Sequence, residues 1–292
     1  MTRAWPDRML VLDFSGTLSL EAALFARDES LARALRESGL WQAGVDSREA
    51  FWDGIVNPTW QEGSTTAIGY AQLLLRHLLQ MAESRGESPC RNDLLAAASR
   101  FVEAYLRHSP IDPTWGQALH RLLRHPGLVI VVATDHYAEA TAHIVGQLTR
   151  LGLAGAPALE ARAERVLVAN SADLGYRKAT ERFWAALQGA RGLALERVAL
   201  VDDFGAHEQP LDGYARPQDV ARRREATVQA ITAVFAAPTS VFPFLLDSVP
   251  PPSREPGDGT RGTEREQEAL RPYRMLVGKA GDFVARELAL VG

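Results

Sequence analysis

A small set of polar side chains in this chain closes short apolar runs, and their types suit group-transfer chemistry. Asp13 follows Met9-Leu10-Val11-Leu12, Thr134 follows the apolar run 128–133, and Asp202 and Asp203 follow the run 198–201. Lys178 stands near the start of a helical stretch. A carboxylate at a strand end can act as a nucleophile, forming an aspartyl intermediate that divides one hard step into two. Attack by a carboxylate on a phosphate dianion brings like charges together. Mg2+, held by one or two carboxylates, offsets that repulsion, and so does a positioned ammonium such as that of Lys178. The Thr134 hydroxyl would donate a hydrogen bond to a phosphoryl oxygen.

The elements that must position these groups alternate in kind. The runs at 9–12, 128–133, 165–169 and 198–201 read as buried strands. Helical patterns lie at 137–151, 177–187 and 217–235. Strands alternating with helices imply βαβ units and a parallel sheet. Residues 19–125 differ: Leu24, Leu31 and Leu35 suit one helix face, Leu73, Leu74, Leu78 and Met81 another, and Leu94, Leu95, Phe101 and Tyr105 a third. Pro58 and Gly63 mark 57–66 as a loop between them. The expected fold is α/β, a Rossmann-like parallel sheet with helices on both faces and an inserted α-helical cap. Its divisions are 1–18 plus 126–248 for the core, 19–125 for the cap, a Pro- and Gly-rich linker at 249–262, and a C-terminal helix within 263–292 packed on the core. Ligands of open α/β sheets bind beyond the carboxyl ends of the strands, where Asp13, Thr134 and Asp203 fall.

Composition narrows the function classes. The 292 residues are 46% hydrophobic, enough to bury a core without staples. Lys+Arg is 32 against Asp+Glu 36, a net charge of −4 that makes no electrostatic case for nucleic acid. One cysteine, Cys90, excludes an internal disulfide and a cysteine-cluster metal site and fits a reducing compartment. The apolar run near the start is too short for a signal peptide, and no stretch is long enough to span a bilayer. The expectation is a cytoplasmic monomer or homodimer acting on a small molecule, with no membrane and no nucleic-acid partner. Only Lys178 and Lys279 are lysines; the other basic residues are arginines.

The motifs, taken together and in order, resemble those of the haloacid dehalogenase-like superfamily. Asp13-Phe14-Ser15-Gly16-Thr17-Leu18 is similar to its first motif and the strand ending at Thr134 to its second. Gly175-Tyr176-Arg177-Lys178 is similar to the third, with Ala179 where proline is frequent, and Leu200-Val201-Asp202-Asp203 to the fourth. The resemblance covers about residues 8–210. It implies a hydrolase or phosphotransferase using Mg2+ on a small phosphorylated substrate. Asp13 would be the nucleophile, with Ser15, Thr134 and Lys178 beside it. The metal would be held by Asp13, the Ser15 backbone carbonyl and Asp203, with Asp202 assisting. Gly16 and Thr17 would shape the loop at the substrate.

One departure is informative. Most phosphatases of that superfamily carry a second Asp two residues after the nucleophile, to protonate the leaving group and later activate water. Here that residue is Ser15, a poorer proton shuttle. Phosphonatases tolerate the absence through a cap lysine, but 19–125 has none. Dehalogenases also lack the second Asp, yet usually lack the double acid found at 202 and 203. The alternatives are therefore a silent phosphate-binding or regulatory protein, a dehalogenase, or a phosphonate hydrolase. Asp135 and His136 follow Thr134 closely enough to reach substrate, and His136 could serve as acid or base. Trp60 and Tyr70 in the cap would touch the substrate body. His207 and Glu208 are weaker candidates, and Arg222-Arg223-Arg224 reads as a solvated helix face.

Overall fold

A computed structural model describes residues 6–26, 28–208, 215–247 and 268–290 of the chain. The linker expected at 249–262 lies outside the described residues. Six strands form one sheet: β1 (Arg8–Leu12), β2 (Leu128–Thr134), β3 (Gly155–Pro157), β4 (Val166–Asn170), β5 (Arg197–Asp202) and β6 (Thr239–Pro243). Their order is β3-β4-β2-β1-β5-β6, and every pairing is parallel. The central strands are continuous apolar runs because both faces of the sheet are covered.

The register explains which helices lie where. Leu10 aligns with Ile130 and Ala199, and Leu12 with Val132 and Val201. These side chains share one face with Trp115 of α7 (Pro113–Leu122), Ile144 of α8 (Glu139–Arg150) and Tyr273 of α12 (Arg271–Glu287). The alternate residues, Met9, Val11, Val131 and Leu200, face Leu174 of α9 (Ser171–Leu174), Trp184 of α10 (Glu181–Arg191) and Ile231 of α11 (Pro217–Phe235). Period-two alternation in the strands thus builds two apolar layers from one sheet.

Between β1 and β2 the chain is helical: α1 (Leu20–Phe25), α2 (Asp28–Ser38), α3 (Arg48–Phe51), α4 (Asn57–Gly63), α5 (Tyr70–Ser84), α6 (Arg91–Arg107) and then α7. Phe25, Leu31, Leu73, Leu74 and Phe101 form a third apolar cluster, which reaches the rest of the molecule through Tyr137. Helix α7 belongs to the sheet's core instead. Two features tie the helical insertion to the sheet. The Glu139 carboxylate accepts from the backbone N–H of Tyr70 at 2.9 Å, at the start of α5. Tyr70 also stacks on Tyr137, with ring centroids 3.8 Å apart.

Several local expectations are corrected. Residues 57–63 are helical, not a loop. Pro58 follows directly on Trp52–Val56, a widened π turn in the same helical run. A π turn gives the proline ring room against the carbonyl four residues back. Leu24 and Leu31 lie on different helices, α1 and α2. The helix expected at 177 begins at Glu181, after the loop that carries Lys178. Two edge strands gave no signal: β3 is the tripeptide Gly-Ala-Pro, and β6 is only half buried. Among the described residues, no helix is long and apolar enough to cross a membrane.

Candidate active site

The parallel register brings the ends of β1, β2 and β5 to one edge of the sheet. Asp13 follows β1, its N–H bonded to the Val201 carbonyl at 3.1 Å. Asp202 ends β5, and Asp203 follows it. Each of the three carboxylates is at least 95% buried, and they offer oxygens within 4.8 Å of one another. Lys178, carried by the loop before α10, reaches in from beside them. Its Nζ donates to Asp13 Oδ1 and, at 2.8 Å, to Asp202 Oδ2.

Neighbouring bonds hold this cluster in place. The Lys178 backbone N–H donates to Asp135 Oδ1 at 2.9 Å, and its carbonyl accepts from Trp184 Nε1 at 2.7 Å. Asp135 therefore fixes the lysine's loop from the end of β2. Gly16 has φ +79°, and a Cβ there would lie 2.4 Å from Asp203 Oδ2. Only glycine lets the loop after β1 close over that carboxylate. Thr17 Oγ1 accepts from the Asp203 N–H at 3.1 Å. Gly16 and Thr17 thus stand behind the loop rather than on the cavity wall.

The charges do not balance within the cluster. Burial pushes the Asp13 carboxyl well above the usual carboxylate range; Lys178 pulls it down, while Asp202 and Asp203 push it up. Burial also raises Asp202, against the pull of Lys178. Asp203 is held low despite its burial by its bonds to His207 and to the backbone N–H groups of Gly205 and His207. Burial disfavours charge on Lys178, but Asp13, Asp202 and Asp135 outweigh it and keep the ammonium charged. One ammonium among three buried carboxylates leaves excess negative charge, a donor set of hard oxygens that fits Mg2+. A cation there would return Asp13 to its ionised, nucleophilic form.

Ser15 points away from the cluster and toward a partner that is remote in sequence. Its Oγ donates to Glu208 Oε1 at 2.8 Å. His136 is also built into the site. The Tyr137 N–H points at His136 Nδ1 at 2.9 Å, so the neutral ring carries its proton on Nε2. That nitrogen lies 2.6 Å from the hydroxyl of Tyr105, on α6. Burial lowers the His136 pKa to about 4, with His143 adding to the effect. His136 is thus a neutral ring that donates to the Tyr105 hydroxyl at the cavity.

These groups open on one cavity of about 190 Å³. Asp13, Ser15, Thr134, Asp135, His136, Lys178 and Asp203 line its sheet end, and Trp60 and Tyr70 line the far end. The π turn aims Trp52, Val56 and Trp60 at it from successive turns. Gly63 makes room for this wall, since a Cβ there would meet the Tyr137 ring at 2.3 Å. Arg223 corrects an expectation. It lines the cavity and bonds the Phe204 carbonyl at 2.9 Å, whereas Arg222 and Arg224 are exposed as expected. Tyr105 and Arg223 were legible in sequence only as a helix-face residue and as one of a charge run.

Solved structures of similar layout are known. A 2-haloacid dehalogenase from Pseudomonas syringae pv. tomato DC3000 matches with a TM-score of 0.46 and 19% identity, over 71% of this chain and 83% of its own. L-2-haloacid dehalogenase from Xanthobacter autotrophicus, with chloropropionic acid covalently bound, matches at 0.43 and 14%, over 94% and 87%. A predicted HAD-like family hydrolase from Porphyromonas gingivalis matches at 0.42 and 11%, over 92% and 99%. No family model and no curated protein matches the chain.

Proposed function

We propose that this chain is a haloacid dehalogenase-like hydrolase or phosphotransferase. It would act on a small phosphorylated organic molecule through an aspartyl intermediate at Asp13. One observation carries the reading: the Lys178 ammonium bridges Asp13 and Asp202 at the floor of the cavity, beside a third buried carboxylate. A binding site for phosphate alone has no use for a carboxylate placed where the anion must approach. That placement serves attack.

Asp13 Oδ2 would attack phosphorus while Lys178 holds Oδ1 and offsets charge on the transferring group. The Thr134 hydroxyl and the loop N–H groups after Asp13 would orient the phosphoryl oxygens. Mg2+, held by Asp13, the Ser15 carbonyl and Asp203 with Asp202 close by, would supply the remaining positive charge that the carboxylates call for. Glu208, bonded to Ser15, would take the part of the second Asp that this chain lacks. It would protonate the leaving oxygen and then take a proton from the water that releases phosphate. Cys90 is exposed and unbridged, which supports a reducing, cytoplasmic setting.

The test is turnover. The purified protein with Mg2+ is mixed with phosphate monoesters, acyl phosphates, phosphonates and 2-haloacids. Release of phosphate from an ester, abolished by Asp13→Asn and by chelation, supports the reading. Halide release without metal would replace it with dehalogenation. Tight phosphate-analogue binding with no turnover on any compound would leave a binding protein.

A further inference from the structure

The cavity has two chemically distinct ends. Its charged floor has been described. The opposite wall comes from the helical insertion and presents Phe25, Phe51, Val56, Trp60 and Phe101. These are rings and methyl groups, and beside them stand a few polar atoms: the indole N–H groups of Trp52 and Trp60, the Tyr70 and Tyr105 hydroxyls and the Asn57 amide.

Three observations fix what fits there. The first is size. An apolar cavity of about 150 Å³ holds one benzene ring, so about 190 Å³ has room for one ring on a short arm. The second is polarity. Most of this wall is ring and methyl surface, so a sugar or polyol with a hydroxyl on every carbon would leave several of them without a partner in exchange for water. The third is charge. Among the described residues, the basic side chains lining the cavity are Lys178 and Arg223, and the insertion contributes none. A second anionic group on the substrate body would meet no cation from the insertion. The rings themselves are set edge to face, Phe25 against Phe101 at 64° and Trp60 against Tyr137 at 80°. That arrangement continues readily onto an aromatic guest.

We infer that the substrate class is the phosphomonoester of a compact arylalkyl alcohol, with its ring against the Phe51–Trp60–Phe101 wall and its phosphoryl group at Asp13. The inference rests on the hydrolase reading for the reaction but on the wall alone for the ring.

The experiment separates the two. Calorimetry with Mg2+ compares benzylphosphonate with 3-hydroxypropylphosphonate, neither of which is hydrolysed. Benzyl phosphate and glycerol phosphate, whose leaving groups are similar, are then compared as substrates. Benzylphosphonate is expected to bind about 100-fold tighter, and kcat/KM is expected to favour benzyl phosphate by a similar factor. Trp60→Ser, folded by circular dichroism, should shrink the binding ratio about tenfold. Equal affinities, a preference for the hydroxylated compound, or no binding of either overturns the arylalkyl class. If benzylphosphonate is preferred but no ester turns over, the ring site stands and the hydrolase reading falls.

Discussion

Ser15 and Glu208, 193 residues apart in sequence, meet through a 2.8 Å hydrogen bond beside the candidate nucleophile. The serine occupies the position where the superfamily pattern leads one to expect an acid. A carboxylate reaches it instead from the segment after β5. Folding brings it there because β1 and β5 are adjacent parallel strands ending at the same edge.

Glu208→Gln keeps the bond's shape and removes the proton shuttle. With an alkyl phosphate, whose leaving oxygen needs a proton, kcat should fall about 100-fold. With p-nitrophenyl phosphate, whose leaving group departs unaided, formation of the aspartyl intermediate in single-turnover experiments should slow far less. Equal losses of that first step on both esters would reject Glu208 as the acid.

Lys178→Met leaves Asp13, Asp202 and Asp203 without their ammonium. Stripping one partner from a buried ion pair costs about 3–5 kcal/mol, so urea unfolding in chelator should show a loss of that order. Mg2+ should restore part of it, and raise the melting temperature more in the variant than in the parent. A variant as stable as the parent in chelator would show that the cluster is not charged as described. Asp13→Asn removes one of the crowded negative charges. It should keep or raise stability while turnover drops by more than about 1,000-fold.

His136 contributes a pH dependence whose sign follows from burial. Its folded pKa of about 4 lies below the ordinary value of 6.5. Stability from this residue is therefore full above pH 6.5 and is lost as pH falls through about 4, because the unfolded chain takes up the proton first. The total is on the order of 3 kcal/mol. Comparing urea midpoints of the parent and His136→Gln from pH 7.5 to 4 isolates the effect. Parallel pH profiles would show that His136 is not held neutral.

Tyr273 on α12 ties the C-terminal helix to the loop that follows Asp13. Its hydroxyl lies 2.6 Å from the Thr17 carbonyl and 3.0 Å from that of Leu18, and Trp115 Nε1 reaches the same Thr17 carbonyl at 3.0 Å. Tyr273→Phe leaves buried polar groups short of a partner and should cost about 1–3 kcal/mol in chemical denaturation. Turnover should fall as well, since the loop carrying Asp13 loses its anchor. An unchanged rate at unchanged KM would confine Tyr273 to stability.

Sequence alone determined the sheet's central strands and the residues at their ends. Buried parallel strands are written as unbroken apolar runs, and Asp13, Thr134 and Asp202 close three of them. It also placed Lys178 next to the carboxylates, although the helix after it starts later than the pattern implied. The short edge strands β3 and β6 were silent because half-buried strands need no such run. Tertiary structure alone decided the partnerships across the chain. Nothing local joins Ser15 to Glu208, Tyr105 to His136, or Arg223 to the cavity. Such contacts arise only where separate elements are packed against one another, and a helix-face tyrosine or one arginine of three carries no mark of it. The π turn before Pro58 is of the same kind. Proline and glycine signal a break in the helix, whereas the folded chain widens one turn and carries the helix through to Trp60.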